Sequence, residues 1–254
     1  MKKKSLNRNK LSEYLESYLL TTDFKDYCPN GLQVQGKEQI KKIVCGVTAS
    51  KDLIEKAIDA NADAIIVHHG WFWRNDDARI IGQLYDRLKL LMDHQINLFA
   101  YHLPLDNHSA VGNNVQLAKL LNIKIKGQHP QNPMVWIGEL ALKRNTLQDL
   151  GQHVTKVLNR EPLIIGDMTK RVKNIAWCTG GAQHYFKDAI DLKVDAYVSG
   201  EISEPTFHLA KEFNVAYISA GHHATERCGI TALGEHIQEK FGLECQFIDI
   251  PNPV

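Results

Sequence analysis

The chain has 254 residues, which is enough for one large domain or two modest ones with a sizeable core. Its 30 Lys and Arg residues nearly balance 29 Asp and Glu residues, and the net charge of +1 argues against a dedicated nucleic-acid binder or a polybasic membrane anchor. The five cysteines form no CxxC pair, so we expect reduced thiols, a cytoplasmic location and no disulfide framework. We expect no signal peptide, because the basic N-terminus leads into LSEYLESYLL, which carries two glutamates and no uninterrupted apolar run. We expect no transmembrane helix, because no apolar window approaches about 18 residues.

Helices alternate with short apolar strands along the first half of the chain. The predicted elements are, in order, a helix over 10–20, a turn at 29–31, strands at 32–34 and 43–47, a helix capped by Ser50, a strand at 64–67, a helix around 80–94 and a strand at 96–101. A further strand in the run VWIGELAL and a helix near 146–158 follow. This alternation predicts an α/β protein with a largely parallel sheet.

The same order of elements returns after residue 174. The block AIDANADA (57–64) matches AIDLKVDA (189–196), and the flanking strands continue in step at the same offset. We interpret this pattern as two intertwined β-α-β-α-β repeats that form two α/β halves with mostly parallel mixed sheets; two unrelated but similar units are the alternative. We expect the halves to span residues 1–128 and 129–254, with the C-terminal segment able to pack on the first half.

Six of the twelve histidines lie in three short clusters, each just beyond the carboxyl end of a predicted strand. One pair follows AIIV, a second pair follows INLFAY and a third follows VAYISA. Loops at the carboxyl ends of parallel strands converge over one edge of the sheet, so we expect one shared site in the cleft between the halves. These residues are His68, His69, His102, His108, His222 and His223. We interpret the other six histidines as structural.

Carboxylates complete this pattern. Asp106 follows His102 by four residues, and Glu226 follows His222 by four; such residues share one face of a helix, although Pro104 predicts a loop for the first pair. Four imidazoles and two carboxylates suit two divalent transition-metal ions, whether iron, manganese, zinc, cobalt or nickel, with positions left for water or substrate. The expected ligands are His68, His69, His102, Asp106, His222 and Glu226.

Other residues near these clusters are candidates for catalysis or substrate binding. Glu201, His223 and His108 are the candidate acids and bases, although Glu201 could simply cap a helix. The run Trp71-Phe72-Trp73 is typical of core or subunit packing, but Trp73 could also stack on a flat substrate such as a base. Gly180-Gly181 fits either a phosphate contact or a tight turn.

Four segments, VHHGWFW, YHLPLDNHSAVGNN, SGEISE and GHHATERCG, resemble the NGG-one-interacting-factor-three-like family. These are dinuclear metal centre hexameric proteins, and bacterial members are labelled GTP cyclohydrolase type 2 homologues. The resemblance covers nearly the whole chain, including PNGLQVQG and FIDIPNP, and is to the short form without an inserted domain. It implies two α/β halves, a homohexameric ring with metal sites facing its cavity, and the same six metal ligands. Cys228 stands where close members more often carry glycine.

Two classes of function remain open at this point. The first is a metal-dependent hydrolase that acts on a nucleotide, and the family label implies conversion of GTP to a dihydroneopterin triphosphate; ring opening and phosphoester hydrolysis need the same activated water. The alternative is a non-catalytic metal-binding hexameric ring that serves as a scaffold or regulatory partner. A ring that encircles DNA is a third idea, which the near-zero net charge disfavours. We therefore expect self-association and a small-molecule nucleotide as partners, with no membrane and no nucleic acid.

Overall fold

The structure is a computed structural model that describes residues 4–254. Two compact units divide the chain. The first holds the residues up to Gly112 and the segment Gly229–Pro251, and the second holds Asn113–Cys228 and Asn252–Val254. This division differs from the one expected at residues 128 and 129, because the strands between residues 123 and 140 pair within the sheet of the second unit.

The described residues form helices and strands in the following order. Up to Asn107 these are β1 (Leu6–Asn7), α1 (Arg8–Tyr18), β2 (Gly31–Val34), β3 (Gln39–Ile40), β4 (Lys42–Thr48), α2 (Lys51–Asp59), β5 (Ala64–His69), α3 (Gly82–Asp93), β6 (Asn97–Ala100) and α4 (Leu103–Asn107). The rest are α5 (Asn113–Leu120), β7 (Ile123–His129), β8 (Asn132–Leu140), α6 (Leu147–Leu158), β9 (Leu163–Ile165), β10 (Asn174–Trp177), α7 (Phe186–Asp191), β11 (Ala196–Ser199), α8 (Glu204–Phe213), β12 (Ala216–Ser219), α9 (His222–Phe241) and β13 (Glu244–Phe247). Short 3-10 helices lie at Thr21–Asp23 and Gln183–Tyr185.

A five-stranded sheet in the order β13-β4-β5-β6-β2 forms the centre of the first unit. The first four strands are parallel, and β2 pairs with β6 in the antiparallel sense. Strands β4 and β5 are almost entirely buried, as expected for continuous apolar runs in a parallel sheet. Ser50 caps α2 as expected, since its hydroxyl accepts a hydrogen bond from the Leu53 N–H at 3.3 Å.

The second unit is built on a six-stranded sheet in the order β7-β8-β10-β11-β12-β9. Strands β10, β11 and β12 are parallel, and the other pairings are antiparallel. Trp177 at the end of β10 is fully buried, and its indole N–H donates to the Asn114 carbonyl at 2.9 Å. The predicted α/β class with mixed sheets is therefore confirmed, although parallel pairings predominate only in the sheet of the first unit.

Two aspartates, one in each unit, make the same contacts at the start of a parallel strand. The Asp63 carboxylate accepts hydrogen bonds from the backbone N–H groups of Lys41 and Lys42, just before and at the start of β4. The Asp195 carboxylate does the same for Lys173 and Asn174 at β10. The two aspartates are separated by the offset of the proposed sequence repeat, in agreement with that interpretation. The origin of the repeat in a duplication stays a prediction.

The composition also led to expectations about disulfides and membrane-spanning helices. All five cysteines are free thiols in the structure, and three of them are buried. Among residues 4–254, no helix combines the length and the apolar character that crossing a bilayer would need.

Candidate metal centre

Three histidines of the first unit meet where β5 and β6 end. His68 and His69 are the last residues of β5, and His102 follows β6 by two residues. The two strands are parallel neighbours with Val67 opposite Ala100, so their carboxyl ends lie at the same edge of the sheet. One ring nitrogen from each histidine lies within 4.8 Å of the others, and this is close enough for a shared metal ion.

Asp106 joins this cluster from the short helix α4. Its Oδ1 lies 3.4 Å from Nε2 of His68, about the edge of a tetrahedron of ligands around one ion. The loop expected from Pro104 is wrong: the Asp106 N–H donates to the His102 carbonyl at 3.1 Å, closing a helical turn. Proline is tolerated there because the first N–H groups of a helix have no partner within it.

The strand-end histidines are held at Nδ1 by uncharged groups. Nδ1 of His68 lies 2.9 Å from the Tyr101 carbonyl oxygen, to which it can donate. Nδ1 of His69 lies 3.2 Å from the Thr48 hydroxyl, and these two residues are register partners on β5 and β4. A hydrogen bond at one ring nitrogen sets the tautomer and the ring orientation, so Nε2 is the nitrogen that would bind a metal.

A carboxylate holds the third histidine in the same way. Asp26 Oδ1 lies 2.7 Å from Nδ1 of His102, and Oδ2 accepts a hydrogen bond from the Leu103 N–H. Asn30 connects the loop to this site, since its amide donates to Asp26 and its Oδ1 accepts from the His102 N–H. Burial opposes ionisation of Asp26, but His102 and Asn30 outweigh it and lower the pKa of the carboxyl to about 2. The sequence analysis missed both Asp26 and Asn30.

Cys28 lies beside this contact. Asp26, Cys28 and His102 offer three donor atoms within 4.8 Å of one another, which is a second arrangement able to hold a metal. Burial and the negative charge of Asp26 raise the pKa of the Cys28 thiol to about 12. Because a thiolate rather than a thiol binds metals, this group is a poor ligand at neutral pH. We therefore interpret Asp26 as the residue that orients His102.

In the second unit, His222 lies between two carboxylates. It is the first residue of α9, and its Nε2 is 3.2 Å from Oε2 of Glu226 one helical turn later. Its Nδ1 is 2.6 Å from Oε1 of Glu201, which follows β11, the parallel neighbour of the β12 strand that precedes α9. Burial disfavours the protonated ring, but the hydrogen bonds and charges of Glu226 and Glu201 raise the pKa of His222 to about 9. The pair of carboxylates makes this a site that attracts cations.

Gly180 lies against the Glu226 carboxylate. Its φ is +68°, and a Cβ at this position would overlap Oε1 of Glu226. The Gly180 N–H donates to the Thr225 hydroxyl at 3.1 Å. The tight turn that the sequence allows after β10 is thus present, and glycine is needed there to leave room for Glu226.

Trp73 contacts the three-histidine cluster. Its ring centroid is 4.9 Å from that of His102 in an edge-to-face arrangement and 6.1 Å from that of His69. Trp71, by contrast, is buried and donates its indole N–H to the Ala49 carbonyl. Trp71 therefore packs in the core as expected, whereas Trp73 borders the cluster and its stacking on a substrate stays a prediction.

The other two acid–base candidates have different surroundings. Nε2 of His108 lies 3.1 Å from the Tyr18 carbonyl, and its Nδ1 accepts from the N–H groups of Ala110 and Val111. Both ring nitrogens are thus engaged within the first unit, as in a structural histidine, and burial lowers the pKa of the ring. His223 is buried, and its backbone N–H donates to the Val254 carbonyl at 3.0 Å.

Comparison with known proteins finds relatives over nearly the whole chain. The family model described as Duf34/NIF3 (NGG1p interacting factor 3) matches residues 6–253. A GTP cyclohydrolase 1 type 2 homolog from Pseudomonas aeruginosa is 48% identical over 246 residues, which cover 96% of this chain and 97% of that protein. The solved structure of the protein ybgI, given as of unknown function, is 45% identical with a TM-score of 0.95, covering 98% of this chain and 100% of its own. TTHA1606 from Thermus thermophilus is 32% identical with a TM-score of 0.87 at the same coverage.

Proposed function

Because the chain belongs to the Duf34/NIF3 (NGG1p interacting factor 3) family, we propose that it is a metal-dependent hydrolase that acts on a nucleotide. The name of the Pseudomonas aeruginosa relative supports a cyclohydrolase-like reaction on GTP. In such a reaction one water adds at C8 of the purine and opens the ring to a formamide, and a second water hydrolyses the formamide to formate and an amine. The proposed ligands are those expected from the sequence. They are His68, His69, His102 and Asp106 in the first unit, and His222 and Glu226 in the second.

One observation carries this proposal. Each of the four proposed imidazole ligands has its Nδ1 in a hydrogen bond with an oxygen of its own unit, and the four oxygens come from a backbone carbonyl, a hydroxyl and two carboxylates. This is the arrangement found around metal-bound histidines, where the bond at one nitrogen orients the ring and makes the other a better ligand. Imidazole and carboxylate donors suit iron, manganese, zinc, cobalt and nickel alike, so we propose divalent transition metals without choosing among them. That both sets of ligands serve one pair of ions stays a prediction.

When bound, such ions would supply a water of lowered pKa and would polarise the atom that the water attacks. The protein's own contribution is to hold the ligands in place and to bind the nucleotide. We propose that Trp73 stacks on the base, and its contact with the three-histidine cluster supports this role. We retain Glu201 and His223 as candidates for proton transfer, whereas the contacts of His108 favour a structural role.

Turnover and metal content, measured together, test the proposed function. We expect the purified protein to convert GTP or another nucleotide of a panel only when reconstituted with a divalent transition metal. His102→Ala should lose metal and activity together, whereas His208→Ala, an exposed histidine paired with Glu204, should keep both. Activity in a verified metal-free protein would contradict the proposal. Metal binding without product from any nucleotide would favour the scaffold alternative.

We also propose a homohexameric ring in the cytoplasm, as the family resemblance implies. The free cysteines agree with a reducing compartment. Light scattering of the purified protein measures the assembly directly, and a monomer at micromolar concentration would contradict the ring.

A further inference from the structure

A cleft of about 570 Å³ lies beside the three-histidine cluster, entirely within the first unit. Its walls come from one segment of the chain, residues 71–87, which joins the end of β5 to helix α3. Trp73 lines it and also contacts the ring of His102, so the cleft begins next to the cluster. This volume is in the range of pockets that hold small organic ligands.

Arg87 on α3 lines the cleft, and no described residue of the chain pairs with its guanidinium. Within residues 4–254, its buried Nε has no hydrogen-bond acceptor, and its guanidinium forms no ion pair. Burial lowers the pKa of this group, the direction expected for a cation removed from water without a compensating anion. Such an arrangement costs stability unless an anion completes it.

The other arginines of the cleft already have partners. Arg79 forms a bidentate contact with the Asp77 carboxylate, in which Nε donates to Oδ1 and Nη2 donates to Oδ2, so their charges largely cancel. Arg74 donates to the Asp26 carbonyl at 2.9 Å and lies over the Tyr27 ring. Arg87 is therefore the residue whose fork of N–H donors is left for a ligand, and this fork fits phosphate oxygens well.

Phe72 provides a flat apolar wall in the same cleft. It is 39% exposed, and its φ of +65° is a conformation that bulky residues rarely adopt. Such backbone strain costs free energy and is enriched at ligand-binding and active sites. Phe72 and Trp73 together offer aromatic surface for a planar ring, and Arg87 offers positive charge for a phosphate.

We propose that this cleft binds the phosphate-bearing part of a nucleotide, with Arg87 as its phosphate ligand and with Phe72 and Trp73 as its aromatic wall. This inference rests on the proposed function, because it names how the substrate of the metal centre is held. It assigns substrate recognition to residues 71–87, which none of the metal ligands occupies.

Calorimetric titration of the metal-loaded protein with GTP, guanosine and inorganic triphosphate tests this site. We expect Arg87→Gln to weaken binding of GTP and of triphosphate at least about 10-fold, and to leave guanosine binding and metal content unchanged. Lys89→Gln is the matched control, since it removes a positive charge from the same helix at an exposed residue paired with Asp93. Arg87→Gln should also melt at the same temperature as the wild type or higher, because it removes a partly buried charge whose buried Nε has no acceptor among the described residues.

The outcomes separate this inference from the proposed function. Equal GTP affinity in the wild type and Arg87→Gln would overturn the proposal that the cleft is a phosphate site. An equal loss of GTP affinity in Lys89→Gln would also overturn it. So would the failure of GTP, guanosine and triphosphate alike to bind. If Arg87→Gln turned over GTP with an unchanged KM, the proposed phosphate site in the cleft would be wrong, and the proposed hydrolase activity would be right. If the wild type bound GTP through Arg87 but released no product, the proposed hydrolase activity would be wrong, and the proposed phosphate site would be right.

Discussion

The carboxylate of Asp26 lies 2.7 Å from Nδ1 of His102, and this contact joins residues that are 76 positions apart in the chain. The contact uses Nδ1 of the ring and leaves Nε2 for the proposed metal ion. The contact between Glu201 and His222 in the second unit has the same form at 2.6 Å. Each unit thus has a carboxylate that orients a proposed imidazole ligand.

Asp26→Asn tests the first of these contacts. We expect metal affinity to fall about 10- to 100-fold, the usual effect of removing a carboxylate that orients a metal-binding histidine. Competition with a chromophoric chelator measures the change. Asp23→Asn is a suitable control, because Asp23 is exposed in the same connection before β2. Equal affinity of wild type and Asp26→Asn would show that His102 does not need this partner.

Glu201→Gln tests the second contact and distinguishes two roles for this residue. If Glu201 orients His222, we expect a fall of about 10-fold or more in metal affinity and activity that recovers at saturating metal. If Glu201 also transfers a proton, kcat should stay low when metal is saturating. Glu204→Gln serves as control, since Glu204 is exposed and contacts His208 instead. Unchanged metal affinity and unchanged kcat would exclude both roles.

Gly180→Ala tests the space that Glu226 occupies. The added Cβ would overlap Oε1 of Glu226, and the positive φ adds backbone strain of about 1 kcal/mol. We expect both a loss of stability and a loss of metal bound by the second unit. Gly82→Ala separates the two effects, because Gly82 has a φ of +55° and nothing within 4 Å of its Cβ position. Elemental analysis in which both variants retain equal metal would contradict this account of Gly180.

Asp63→Asn tests a structural carboxylate away from the site. Burial opposes ionisation of Asp63, but Lys37 and the N–H groups of Lys41 and Lys42 outweigh it and lower the pKa of the carboxyl. Because the folded pKa is below the unfolded value of about 3.9, the stabilisation is fully present above about pH 5 and is lost as the pH falls through the folded pKa.

We therefore expect Asp63→Asn to lower the stability of the first unit by about 1 kcal/mol at pH 7, since solvent screens part of the interaction, and to equal the wild type in strong acid. Urea unfolding at a series of pH values measures this difference. Asp59→Asn, at an exposed position on α2, should show no comparable loss. A difference between Asp63→Asn and the wild type that did not change with pH would assign the effect to packing rather than to charge.

Strand periodicity and local spacing were enough to predict much of the fold and the proposed ligands. His68 and His69 could be placed because they directly follow an apolar run, and the strand that ends before His102 is its parallel neighbour. Family membership, expected from four motifs, is confirmed by the comparisons. These signals are local, and each needs only a few neighbouring residues.

The contacts that were missed join residues far apart in sequence. Asp26 and Asn30 lie in a connection without periodic pattern, and only the folded sheet brings them to His102. The helix at Asp106 was missed because Pro104 was interpreted as a breaker rather than as a residue of the first turn. Arg87 looks like any charged residue of a surface helix until the structure shows that no described residue pairs with it.

Anomalous diffraction from crystals of the metal-loaded protein tests the central claim most directly. The account predicts metal peaks about 2.0–2.1 Å from Nε2 of the four proposed histidine ligands, with Nδ1 still bonded to the oxygens found here. These histidines are His68, His69, His102 and His222. Peaks coordinated through Nδ1, with Asp26 and Glu201 displaced, or the absence of any peak at these residues, would contradict it.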